Sequence, residues 1–302
     1  MPTAGCLKRR RRPDVSRSAA HRMTAPRYAR PSQLGDALAI LGAGGFSVLA
    51  GGTDFYPARV GMPVDVNVLD ITRVKELRGI SVDAGAVRIG ATATWSDLLA
   101  AYLPPVFDGL KAAAREVGGV QIQNAGTVAG NLCNASPAAD GVPPLLALDA
   151  EVELASASGA RRMHLREFVL GNRVTARDPK ELVVAVHVPA WAANARSSFL
   201  KLGHRKYLVI SIAMVAACIA VDQDGRIARC GLAVGACSVA AKRLSMLETS
   251  LIGMRAADAA ASVSAEHLAS LTPIDDVRGT GAYRRDAALT LLQRAIAQAV
   301  AA

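Results

Sequence analysis

Mixed helix and strand in more than one domain, without a doubly wound dinucleotide fold, is what this sequence predicts. Three observations carry that expectation. The chain has 302 residues, 51% of them apolar with a mean hydropathy of +0.25, enough to bury a substantial core and too apolar for general disorder. Short apolar runs bounded by turn residues alternate along it with capped helical segments. The strand and glycine turn in LAGGTDF, residues 49–55, are followed by Pro57 and not by a G-x-G-x-x-G that opens a helix, which argues against a Rossmann domain.

The first 22 residues hold Lys8, Arg9, Arg10, Arg11, Arg12, Arg17 and Arg22 against Asp14, so +6 of the net charge of +10 is gathered there. With no apolar core behind the arginines and no aromatic residue, this stretch predicts neither a secretion signal nor a base-stacking surface. Residues 1–23 read as a disordered basic tail, or as residues ahead of a start at Met23. A helix follows, with Ser32 as its expected cap, Leu34, Ala37, Leu38 and Leu41 as its apolar positions, and Gly42, Gly44 and Gly45 as its stop. A strand over 46–50 then runs into the glycine turn. From residue 65 onward short strands alternate with turns until Thr94 and Asp97 form a capping box ahead of a helix. Another helix is expected over about 109–117.

Residues 124–131 offer a second glycine-containing backbone turn. After it, Ser136 and Pro137 look like an N-cap and first helical residue, with Asp140 in the first turn. Beyond residue 195, apolar strand runs over 199–202, 209–222 and 227–235 are punctuated by a hairpin turn at Asp224-Gly225, and Ala-rich helices close the chain. The longest uncharged apolar run, 208–221, is too short to span a bilayer. Cys6, Cys133, Cys218, Cys230 and Cys237 include no C-x-x-C pair; they predict a reducing, cytoplasmic setting, no zinc or iron–sulfur site in this chain, and buried apolar roles for most of the thiols.

Glycine among small residues lets the backbone approach a ligand closely, and successive N–H groups in such a turn form a concavity suited to phosphate. Two such turns can hold two parts of one ligand, a diphosphate on backbone donors and ribose hydroxyls on a carboxylate such as Asp140. Taken singly, a glycine turn is equally a chain reversal, and an acid near a helix start equally a partner of the helix dipole.

The ordered set LAGGTDF, NAGTVAGNLCNASPAAD, LREFVLGNRVTARDPKELVVAVHVP, SSFLKLGHRK and IDDVRGTGAYRR resembles the FAD-binding medium subunit of the molybdenum hydroxylases, the family of xanthine and carbon monoxide dehydrogenases. The likeness runs from about Ala25 to the C-terminus. It implies an α+β fold: a PCMH-type FAD-binding domain of two α+β subdomains over 24–190, then a smaller α+β C-terminal domain over 195–302. It places Leu49, Ala50, Gly51, Gly52, Thr53, Asp54 and Phe55 around the diphosphate of FAD, and Thr127, Val128, Ala129, Gly130 and Asn131 at the diphosphate and the flavin edge. Ser136 and Asp140 would reach ribose or ribityl hydroxyls, Leu182 would pack near adenine or flavin, and Lys201 would lie near the isoalloxazine. Val169 and Asn172 stand where the family often carries aromatic residues.

The same resemblance implies no catalytic side chain and no metal site in this chain. Electrons would come from iron–sulfur clusters of a small 2Fe–2S subunit, beside a large molybdopterin-binding subunit in an (αβγ)2 assembly, and would leave FAD for a terminal acceptor. None of His21, His164, His187, His204 and His267 falls in either glycine segment, which suits FAD held without a covalent bond. The alternative, a stand-alone flavin oxidoreductase of related fold, needs a substrate site and acid–base residues of its own, and no set of His, Glu or Tyr is spaced to supply them.

Overall fold

In the computed structural model residues 26–301 are described, and the basic tail expected over 1–23, with Cys6, lies outside them. A parallel sheet opens the described chain: β1 (Tyr28–Ala29), β2 (Phe46–Leu49) and β3 (Asn67–Asp70) lie in the order β1-β3-β2, and α1 (Leu34–Gly42) makes the crossover between the first two. Ser32 does not cap α1. Its cap residue is Gln33, which offers no side-chain bond, and Glu76 Oε1, 42 residues on, accepts the Leu34 N–H at 3.1 Å instead. The expected stop holds, with Gly44 and Gly45 both at positive φ.

The chain continues with β4 (Ile80–Asp83), β5 (Ala86–Gly90) and α2 (Trp95–Ala100). Thr94 caps α2 as its sequence demands: Thr94 Oγ1 accepts the Asp97 N–H at 3.0 Å, and Asp97 Oδ2 accepts the Thr94 N–H at 2.9 Å. Next come α3 (Asp108–Glu116), α4 (Val120–Ala125), α5 (Val128–Asn134) and α6 (Val142–Ala147). Residues 124–131 are therefore not an open turn but the junction of α4 and α5, because Thr127 Oγ1 accepts the Gly130 N–H at 2.9 Å and starts a helix. Ser136 does not cap a helix either. Its Oγ accepts the Ala138 N–H at 3.3 Å in a short turn, Asp140 precedes the helix, and α6 starts where Pro143 presets its first turn.

After β6 (Glu151–Ser156), β7 (Gly159–His164), the short α7 (Leu165–Phe168) and the hairpin β8 (Val169–Gly171) and β9 (Val174–Thr175), strand β10 (Leu182–Val188) completes a five-stranded antiparallel sheet in the order β4-β5-β10-β6-β7. A second antiparallel sheet holds β11 (Arg196–Leu202), β12 (Ala213–Val221), β13 (Ile227–Gly235) and β14 (Lys242–Arg243) in chain order. The β12–β13 hairpin turns at Gly225, where Asp222 Oδ1 accepts the N–H groups of Asp224 and Arg226. The apolar run from residue 209 is shorter as strand than as sequence. Residues 203–212 first leave the sheet in a loop whose Leu208 sits at positive φ, its carbonyl bound by Arg205.

The helices α8 (Ser245–Leu251), α9 (Ala256–Ala259) and α10 (Gly281–Ala301) cover one face of this last sheet. Side chains on β12 alternate between two cores. Met214, Ala216, Cys218 and Ala220 enter the core shared with α3, α6 and the five-stranded sheet, while Ala213, Val215, Ala217 and Ile219 enter the core built with α8, α9 and α10. Burial on both faces is why its sequence reads as an unbroken apolar run. Cys218, Cys230 and Cys237 are buried as expected; Cys133 is exposed.

Candidate functional site

The loops that leave the carboxyl ends of parallel strands gather on one side of a sheet, and the turn at residues 50–55 does so at the end of β2. Its two glycines have separate reasons. A Cβ on Gly51 would overlap the carbonyl oxygen of Ala125, so the turn lies directly on the α4–α5 junction; Gly52 has φ +73° and packs against the Tyr56 ring. The junction is in turn tied to the start of α2, where the Trp95 N–H donates to Gly126 O at 3.1 Å and the Val128 N–H to Ala93 O at 3.0 Å. Asn134 Nδ2 then donates to Asp54 Oδ1 at 3.1 Å and bridges the two segments.

Between them lies a cleft of about 560 Å³, a volume suited to part of a dinucleotide. Residues 49–55 line it, with Thr127, Ala129, Gly130, Asn131 and Leu182. Among the described residues, the N–H groups of Gly51, Gly52, Thr53, Asp54 and Phe55 donate to no protein acceptor. Asn131 Oδ1 is buried and also lacks a partner. A buried polar atom is normally satisfied, so the unpartnered Asn131 Oδ1, beside a half-buried turn whose amides are spent on no protein acceptor, marks a place for a hydrogen-bonding ligand. Ile71, Val117, Ile122 and Val183 supply apolar surface beside them. This combination of successive amides for a diphosphate and apolar walls for a ring fits FAD.

Four residues of the expected site do not line the cleft. The Val128 side chain is in the core, and Ser136 is turned into its own short turn. Lys201 Nζ donates to Asp140 Oδ2 at 2.8 Å and Ser211 Oγ to Asp140 Oδ1 at 3.0 Å, forming a buried joint between the α5–α6 connection and the last sheet. Burial pushes the Asp140 carboxyl above the ordinary carboxylate range, against the pull of Lys201 and Ser211. Val169 is buried and Asn172 exposed on the β8–β9 hairpin, and neither reaches the cleft lining.

The cleft also holds residues that sequence reasoning passed over: Trp95, Cys133, Asn134, Arg177 and Glu181. Cys133 and Asn134 follow Gly130 by three and four positions, the spacing of one helix face, and reading this stretch as a turn hid that signal. The Cys133 thiol opens into the cleft, where the surrounding protein pushes its pKa up to about 11 against the charge of Arg177. Glu181 is drawn below the usual carboxylate range by Arg161, whose Nε and Nη2 reach its oxygens at 2.6 and 2.8 Å. Among the described residues no cluster of His, Cys, Asp and Glu could hold a metal ion, and no helix is long and apolar enough to cross a membrane.

Fold and cleft together define a flavin-binding oxidoreductase subunit. The model of the FAD binding domain in molybdopterin dehydrogenase matches residues 21–191, and that of the CO dehydrogenase flavoprotein C-terminal domain matches residues 198–299. The chain is 30% identical over 289 residues to a putative xanthine dehydrogenase FAD-binding subunit of Escherichia coli, covering 91% of this chain and 96% of that one. It is 34% identical over 191 residues to the nicotinate dehydrogenase FAD-subunit of Eubacterium barkeri, covering 59% of this chain and 62% of that one. Carbon monoxide dehydrogenase of Hydrogenophaga pseudoflava superposes with a TM-score of 0.81 at 28% identity, over 92% of this chain and 98% of that chain. The chain belongs to the FAD-binding medium subunits of the molybdenum hydroxylase family, and its cofactor is FAD.

Proposed function

We propose that this chain holds FAD non-covalently in the cleft beside the 50–55 turn and serves as the electron-transfer subunit of a molybdenum-containing hydroxylase. The observation that carries this reading is the run of five successive backbone donors without protein acceptors, Gly51 to Phe55, facing a cleft in a chain of this family. When bound, FAD supplies the exchange between one-electron and two-electron transfer. The residues of this chain bind and orient it: the amides of 51–55 hold the diphosphate, Thr127 fixes the start of α5, Asn131 Oδ1 accepts from the ligand, and Leu182 packs on a ring. No histidine lines the cleft among the described residues, which favours a non-covalent cofactor.

Electrons reach the cleft from a small 2Fe–2S subunit, while a large molybdopterin-binding subunit carries the oxidised substrate, in an (αβγ)2 assembly. Expressing the chain by itself, reconstituting it with FAD, and assaying purine, aldehyde, carbon monoxide and aromatic-heterocycle oxidation with a dye acceptor tests this. FAD binding without turnover, and turnover once both partner chains are added, is expected. Substrate-dependent turnover by the isolated chain would instead support a self-sufficient flavin oxidoreductase.

A further inference from the structure

Arg177 is the one basic side chain that lines the cleft among the described residues. It enters just before β10 and is half-buried. Its Nη1 is anchored by three carbonyl oxygens, those of Asp178, Pro179 and Glu181, at 3.1, 3.4 and 2.6 Å. Its Nε and Nη2 donate to no protein acceptor among the described residues. One arm of the guanidinium is thus fixed to the backbone and the other left with its donors unspent, an arrangement a planar fork permits and an ammonium does not.

The carboxylates that share the cleft do not neutralise it. Glu181 is held by Arg161 through both oxygens and also accepts the Asp178 N–H at 2.8 Å, while Asp54 is bridged to Asn134. Arg177 shares the cleft with Cys133 on α5, whose thiol is raised by its surroundings against the opposing charge of Arg177. A cation with unspent donors therefore faces the same space as the unspent amides of residues 51–55, and both are complementary to one kind of group, a phosphate oxygen.

We propose that Arg177 recognises the diphosphate of the bound dinucleotide, supplying from the β10 side the charge that the glycine turn, with backbone amides alone, does not carry. This rests on the seat of FAD proposed above and adds the residue that makes the cleft prefer a charged dinucleotide over an uncharged flavin. The anchored arm sets the guanidinium plane, and the unspent arm makes the contact.

The test uses the full chain, stripped of FAD and titrated with FAD, ADP and riboflavin, followed by quenching of flavin fluorescence and by competition. Arg177→Gln should weaken FAD and ADP by about tenfold or more, the scale of one lost charged hydrogen bond, and leave riboflavin unchanged. The FAD affinity of the unaltered protein should fall with added salt more steeply than that of the variant. Unchanged affinity for FAD and ADP, or an equal loss for riboflavin, would overturn the proposal. Should Arg177→Gln fail to fold, Arg177→Lys decides the matter: a single ammonium cannot hold the carbonyls and reach the ligand together, so ADP affinity must drop, and an unaltered affinity refutes the role. Gly52→Val serves as the control for the cleft itself. If that variant also binds FAD normally, the seat of the cofactor is elsewhere; if only Arg177→Gln does, the inference about Arg177 alone fails.

Discussion

The turn at residues 51–55 and the joint of Asp140, Lys201 and Ser211 are both polar features beside the same α4–α6 region, yet their hydrogen bonding is opposite. The turn leaves five successive amide donors without a protein partner. At the joint both oxygens of Asp140 are taken, one by Lys201 and one by Ser211, and Asp140 is only 8% exposed. Desolvated polar groups are costly unless paired, and at the joint the protein itself completes the pairing, whereas the half-buried turn keeps its donors available to the cleft. Unspent hydrogen-bonding capacity distinguishes a place that receives a ligand from a place that holds two parts of a chain together.

The largest test of this contrast is Lys201→Met. Removing the ammonium leaves a buried carboxylate with one hydroxyl for company, and a loss of roughly 3–5 kcal/mol of stability is expected, read from the urea midpoint. Adding Asp140→Asn should recover part of it. A flavin potential shifted negative at unchanged stability would instead put the ammonium at the flavin and erase the contrast.

Gly51→Val acts on the turn. Its new side chain collides with the Ala125 carbonyl, so the turn must lift from the α4–α5 junction at a cost on the order of 1–3 kcal/mol, and FAD content of the purified chain should fall well below stoichiometric while the circular dichroism spectrum persists. Gly130→Val, whose Cβ crowds Thr127 Oγ1, should do the same more mildly; either variant retaining its full FAD would count heavily against the cleft.

Smaller still is Thr127→Ala, which removes the cap of α5 and should cost about 1 kcal/mol, seen as faster amide exchange in that helix and about fivefold weaker FAD binding.

The finest adjustment concerns Asp70, at the end of β3. Burial pushes its carboxyl up, but hydrogen bonds from Thr72 and Tyr28 and the charge of Arg30 outweigh that and hold it below its ordinary value of 3.8. A lowered folded pKa means that its contribution is present above that value and is lost as pH falls through the folded pKa. Tyr28→Phe should therefore cost about 0.5–1.5 kcal/mol at pH 7 and progressively less below about pH 4, measured by urea unfolding at both ends.

Much of this molecule is legible one segment at a time. The Thr94 and Asp97 box, the Asp224-Gly225 hairpin and the positive-φ glycines after α1 follow from neighbours within four residues, and all are present. Reading failed where the deciding partner was distant. The Leu34 N–H is met by Glu76 and not Ser32, and residues 124–131 became a helix junction because Thr127 capped α5 while Trp95 and Val128 bonded across to Gly126 and Ala93. Among the described cysteines Cys133 alone is exposed, because the helix that Thr127 starts carries it to the cleft lining.

By itself the sequence determined the glycine turn after β2, the capping box of α2 and the unbroken apolar run of β12, because these depend on backbone preference, on neighbours a few residues away and on the burial of both faces of a strand. Only the tertiary structure decided which polar groups were spent. Asp140 meets Lys201 from 61 residues away, and Arg177, with one arm anchored beside β10, lines a cleft whose glycine turn lies more than 120 positions before it. Hydrogen-bond satisfaction is a property of pairs, and the partners here come together only when the two cores close around the shared sheet.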